Sequence, residues 1–260
     1  PIKAMEYQQK SQQHLQSNPH NNQDQIYLSM ALGSEAQGNY QDCEKYYRMA
    51  LESASKSFPP KHPRLADYQR RVACALMFQL KLAEAKKYLD LALATYESNL
   101  NHDFLQEELA RLHLDFGQLY NYEGMTDAAI RHLERSLQYK LDMNNYRHRD
   151  TVFKSNHMLA HIYEQSYDFR AIDCLKMALE ILPERTEFSD SEVAKTHLQL
   201  GSLYNKYASV KCATPYVKQE SPITSSVAVV EIFALSYSHL KKAFRLVIKT
   251  DIDKALSMKI

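Results

Sequence analysis

Tryptophan is absent from the 260 residues, and glycine occurs only 5 times. So few glycines leave too few sharp turns for a many-stranded β fold. Cysteine is scarce: Cys43, Cys74, Cys174 and Cys212 stand far apart, with no CxxC spacing. Reduced, partly buried thiols in an intracellular protein, cytoplasmic or nuclear, are the expectation. Charge of one sign does not accumulate, since the formal net charge is +1, which gives no global field to draw nucleic acid or a membrane surface. No apolar run reaches the roughly 18 residues of a membrane span. The first residues, PIKAMEY, carry no initiator methionine and no signal-peptide core, and a fragment or processed product is the expectation. What is present is 45% hydrophobic residues, enough to bury a sizeable core in one large domain or two small ones.

Catalytic patterns are missing as well. The chain contains no GxSxG, P-loop, GxGxxG or HExxH. His157 and His161 form an i,i+4 pair that could chelate a metal, but no third ligand accompanies them. A polar pair on a helix face is the expectation, with no metal, no cofactor and no catalytic residue. The arginines of YRHRD (146–150) are read as belonging to a solvated loop.

A repeat is the dominant signal. Small residues at Cys43, Ala85, Ala129 and Ala171 open the second half of successive units, spaced 42, 44 and 42 residues apart. Seven residues after each stands another small residue (Ala50, Ala92, Ser136, Ala178), followed by a leucine (Leu51, Leu93, Leu137, Leu179). Twelve residues before the first three anchors lie Ala31, Ala73 and Gly117; before the fourth the distance is eleven, to Ala160. Antiparallel helices about 8–10 Å apart need small residues at the contact, and leucines and aromatics at i, i+3 and i+4 fill the flanks. A single hairpin cannot bury its apolar stripe alone, so such units stack.

These segments resemble the tetratricopeptide repeat superfamily. FGQLY (116–120), LAHIY (159–163) and LGSLY (200–204) are similar to its first-helix signature; GNYQDCEKYYRMAL (38–51) and GMTDAAIRHLERSL (124–137) are similar to its second. The repeats are longer than the usual 34 residues and resemble those of kinesin light chains and similar adaptors. The resemblance implies an all-α, right-handed superhelical solenoid of stacked antiparallel helix pairs over residues 1–260. Its expected parts are a helix of a preceding repeat at 1–16, repeats at 24–57, 64–100, 103–143, 150–183 and 189–249, and a terminal helix at 251–260. The fifth repeat carries an insertion around 210–226, beyond a first helix ending near Ser209. Pro183 stands at the closing position of the fourth, and Ser189 with Glu192 forms a capping box for the fifth.

The resemblance also implies a non-enzymatic protein–protein interaction module, an adaptor or scaffold whose first helices line a concave, peptide-binding groove. Projecting the helical phase puts Arg70, Cys74 and Met77 on that groove, then Arg111, Leu114, Gln118 and Asn121. Lys154, His157, His161 and Glu164 follow, and finally Lys195, Leu198, Ser202 and Asn205. Amides would hold a peptide backbone. Four cations set against Asp67, Asp115, Glu35 and Glu164 point to a protein or peptide partner with acidic residues. The alternative is a structural subunit of a larger complex, using its ends and convex face. Direct contact with nucleic acid or a membrane is not expected.

Overall fold

The computed structural model describes residues 23–99, 105–139, 146–181, 190–213, 234 and 236–244. All regular structure among them is helical: α1 (Gln23–Ala36), α2 (Tyr40–Ser57), α3 (Pro63–Phe78), α4 (Leu82–Glu97), α5 (Leu105–Tyr122), α6 (Thr126–Gln138), α7 (Tyr146–Gln165), α8 (Arg170–Glu180) and α9 (Asp190–Ala213). A further helical segment covers 236–244. The chain divides into two compact units, residues 1–141 and 142–260.

In the first unit, α1/α2, α3/α4 and α5/α6 are antiparallel hairpins. Each second helix packs on the next first helix, and α3 also touches α5. In the second unit α7 pairs with α8, and α8 packs on α9. Segment 236–244 faces α9, with the Ser236 hydroxyl donating to the Gly201 carbonyl at 2.8 Å.

The repeat anchors form the hairpin contact. Ala31, Ala73, Ala85, Ala92, Ala129, Ala160, Ala171 and Ala178 are fully buried, as are Cys43, Ala50 and Ser136. A hydroxyl is tolerated at Ser136 because it donates to the Ala110 carbonyl across the hairpin at 2.7 Å. Leu89, Leu133 and Leu175, four residues after their anchors, complete the contact without exposure.

One device closes every described hairpin turn. Gly38, Leu80, Gly124 and Tyr167 have φ of 73°, 58°, 71° and 55°. The next amide bonds back to Ser34, Leu76, Tyr120 and Tyr163 carbonyls at 3.0, 3.0, 2.8 and 2.9 Å. This is the left-handed closure of a helix C-terminus. All four residues stand seven after the small residue of the first helix, so the shorter interval in the fourth repeat arises after the turn. New helices then start on local signals: the Asn39 side chain accepts from Asp42 N at 3.2 Å, and Pro63 occupies the first turn of α3 behind His62.

Two boundaries differ from the sequence reading. YRHRD is the first turn of α7 rather than a loop, because its residues continue the i, i+4 pairing, with Lys154 bonded to Asp150 at 2.7 Å. The helix expected to end near Ser209 continues to Ala213. The segments 1–16, 214–226 and 251–260, with Pro183 and Ser189, lie outside the described residues.

The contact at Gly117 is tighter than that at Gly201: a Cβ at Gly117 would stand 2.6 Å from Leu133 Cγ, and Leu133 is itself fully buried. Gly117→Val is expected to cost about 1–3 kcal/mol by overpacking, and Gly117→Val combined with Leu133→Ala less than the sum of the single changes. Urea denaturation of the four proteins measures this, and additive losses would remove the claim of direct contact.

Candidate functional site

Where α3 meets α5, charged side chains stand beside the apolar ones. Arg70 Nη1 lies 2.7 Å from Asp115 Oδ2, forty-five positions away, and its Nη2 lies 3.4 Å from Asp67. Arg71 pairs with Asp67 at 2.9 Å. Arg111 is bonded to Glu107 and, at 2.8 Å, to Glu108. Burial pushes the Asp67 carboxyl up, but the adjacent Arg71 and Arg70 outweigh it and hold it at about 2. Burial wins at Glu108, whose carboxyl is raised despite Arg111. Three arginines thus meet four carboxylates.

That arrangement decides where the projected groove residues go. In the first unit Arg70, Met77 and Leu114 are buried, at 8%, 0% and 8% exposure. Their face of the first helix is covered because α3 and α5 touch. Cys74 is partly buried, Arg111 is occupied by its own helix, and Gln118 donates to the Tyr122 hydroxyl at 3.2 Å. Asn121 is half-buried near the turn. The second unit differs. Lys154 and His161 on α7, and Lys195, Leu198, Ser202 and Asn205 on α9, are exposed. His157 is half-buried and stacks on Phe153 at 5.8 Å. Glu164 accepts from Gln199 Nε2 at 3.1 Å, tying α7 to α9. Among the described residues, no group of three or more His, Cys, Asp or Glu gathers to hold a metal, and no helix is long and apolar enough to cross a membrane.

Sequence reasoning missed two histidine pairs. His113 and His132 bring their Nδ1 atoms to 3.0 Å across the α5/α6 hairpin. His197 and His239 do the same at 2.9 Å between α9 and segment 236–244. Both pairs occupy one register: four residues before the glycine of the first helix and three after the anchor of the second. Such a contact needs one Nδ1 to donate and the other to accept, so both rings are neutral or one proton is shared. Burial, the facing ring and Arg135 lower His113 to about 4; burial, His239 and Lys242 do so for His197. The repeated offsets were the signal that could have revealed them.

Against known proteins, residues 22–98 match the family model for the tetratricopeptide repeat. No curated protein matches the chain. Among solved structures, BtubC (BKLC) from P. vanneervenii is similar with 16% identity and a TM-score of 0.58, over 96% of this chain and 90% of that one. The apo form of RapI gives 15% and 0.58, over 96% and 92%. PilF of Pseudomonas aeruginosa gives 17% and 0.52, over 92% and 90%. At such identities the likeness is one of fold.

Two outcomes follow from this electrostatics. Arg70→Ala strands Asp115 in the interior and is expected to cost about 3–5 kcal/mol, whereas Arg70→Met with Asp115→Leu recovers most of it; urea midpoints decide, and an equally unstable double variant contradicts the pairing. Because His113 binds its proton less readily when folded, the unfolded chain takes up more protons between pH 6.5 and about 4. Stability is therefore present above pH 6.5 and lost as the pH falls through that window. His113→Gln, which installs the residue found at the equivalent Gln69, is expected to flatten this part of the profile; an unchanged slope would show that the pair is not the cause.

The matched segment and the later hairpins agree in construction: residues 22–98 match the tetratricopeptide repeat, and the hairpins after them are built on the same anchors.

Proposed function

We propose that the chain is a non-enzymatic adaptor that holds a peptide segment of a partner protein along its first helices. Tetratricopeptide repeats are protein–protein interaction modules, and what supports this reading here is the exposed face of α7 and α9. It carries Lys154 and His161 beside Lys195, Leu198, Ser202 and Asn205. Lys195 meets no carboxylate within ion-pair distance among the described residues. Its charge is available for an acidic side chain of the partner, worth most for on-rate and salt dependence. Arg70 and Arg111 are not free for that role, because carboxylates of α3 and α5 neutralise them. Acid preference therefore belongs to the second unit, and Gln118 and Asn121 offer the first unit's amides to a peptide backbone.

A second reading is a structural subunit of a larger complex. It is favoured by apolar side chains left in water. Leu91 and Met177, both six residues after their anchors on second helices, are 53% and 50% exposed, and the turn residues Leu80 and Tyr167 are 71% and 63% exposed.

A photo-crosslinking residue at Ser202 or Leu198, compared with one at Leu91 or Met177, separates the two. The adaptor reading expects discrete partner peptides from Ser202 and Leu198, with capture reduced several-fold by Lys154→Glu with Lys195→Glu at low salt. Crosslinks confined to Leu91 and Met177, insensitive to the charge reversals, establish the subunit instead.

A further inference from the structure

Between α1, α2 and α3 lies a cavity of about 80 Å³, lined by Glu35, Tyr47, Arg70, Arg71 and Cys74 among others. At about 30 Å³ of liquid volume per water, that is room for two or three waters or one short polar side chain. Tyr40 and Phe78, stacked at 4.4 Å, and the buried Ala75 also line it, so part of its wall is apolar.

Its hydrogen-bonding groups are unusual in being both charged and incompletely used. Arg70 is 8% exposed, with Nη1 on Asp115 and Nη2 near Asp67, yet its Nε–H is buried and has no partner among the described residues. An orphaned buried donor of this kind calls for an acceptor. Arg71 uses its Nε on Asp67. Glu35, a solvent-exposed residue of the lining, accepts from the Tyr47 hydroxyl at 2.9 Å through one oxygen, and its carboxylate has capacity for a ligand donor in place of water. Burial pushes the Cys43 thiol up to about 12 and the Cys74 thiol well up also, so both stay neutral.

The lining therefore discriminates by charge. A carboxylate would be drawn by the arginines but repelled by Glu35. An ammonium or guanidinium would meet the opposite conflict. A neutral group that both accepts and donates avoids both, and a carboxamide does so: its oxygen takes an arginine N–H while its NH₂ donates to Glu35. The adjoining methylene is accommodated by Ala75 and the ring pair. We propose that this cavity receives a carboxamide side chain, asparagine or glutamine, carried by the partner segment. This rests on the peptide-binding reading of the first helices, and it assigns the first unit a selectivity distinct from acid recognition.

The test uses the full chain and three small probes of similar shape: propionamide, propionate and ethylguanidinium, each titrated to high millimolar concentration and followed by ¹H–¹⁵N NMR. Propionamide is expected to shift the Cys43, Tyr47 and Cys74 amides saturably, with the two charged probes about tenfold weaker or worse. Glu35→Gln removes the negative group and is expected to move the preference to propionate. Ala75→Leu, which fills the cavity, is expected to abolish the response while leaving the far-UV spectrum unchanged. Equal response to all three probes, an order indifferent to Glu35→Gln, or no saturable shift would mean that the cavity holds water only. A chain that binds propionamide here but gives no crosslink at Ser202 or Leu198 keeps the pocket and loses the peptide-face reading; the reverse result loses the pocket alone.

Discussion

Two helices can lie close enough to exclude water only if something small stands where they cross, and the rest of this molecule is arranged around that constraint. Each described hairpin of the first unit, and α7/α8 in the second, has fully buried small residues on both partners. Once the separation is set, the larger residues are left only the flanks. Leu89, Leu133 and Leu175 take equivalent places beside the crossing. Two polar groups in the seam, Ser136 and Ser236, each donate to a carbonyl of the facing helix. The same geometry puts His113 against His132 and His197 against His239, since one register brings the same two positions together in both hairpins.

This is why the fold was readable from residues alone. Steric exclusion at the crossing tolerates Ala, Gly, Ser and Cys and little else, so the anchors at Cys43, Ala85, Ala129 and Ala171 stand out in the sequence. The turns were less legible. A left-handed residue is announced by glycine at Gly38 and Gly124, but Leu80 and Tyr167 adopt the same conformation without it. An L-residue in that region is disfavoured by roughly 1–2 kcal/mol. It persists because the following amide still closes the helix end and the next helix is already committed to packing.

The exposure of the projected groove residues was legible only in part, and the reason is geometric. Helical phase says which residues of one helix share a face; it does not say whether the next hairpin covers that face. In the first unit α5 lies against α3, so Arg70, Met77 and Leu114 go inside. On α7 and α9 the corresponding residues remain largely in water. Arg70 illustrates the missing information. Its partner Asp115 lies on a different hairpin, at no helical offset, and nothing local to either residue signals the pairing. Of the four projected cations, Arg70 and Arg111 are held by carboxylates of their own unit.

The buried ion pairs have a further consequence for recognition. Once Arg70, Arg71 and Arg111 are held by Asp67, Asp115, Glu107 and Glu108, the first unit has little net charge to select a partner with. Breaking one of those pairs to greet a ligand would leave the other member unpaired in a dry interior, which costs more than an exposed ion pair returns. On the proposed reading, selection there works through unused hydrogen-bonding capacity, such as the orphaned Arg70 Nε–H. In the second unit Lys195 remains in water, so long-range attraction can act. On the proposed adaptor reading, similar hairpins thus offer two different modes of recognition, and the difference arises from whether a cation met its carboxylate during folding.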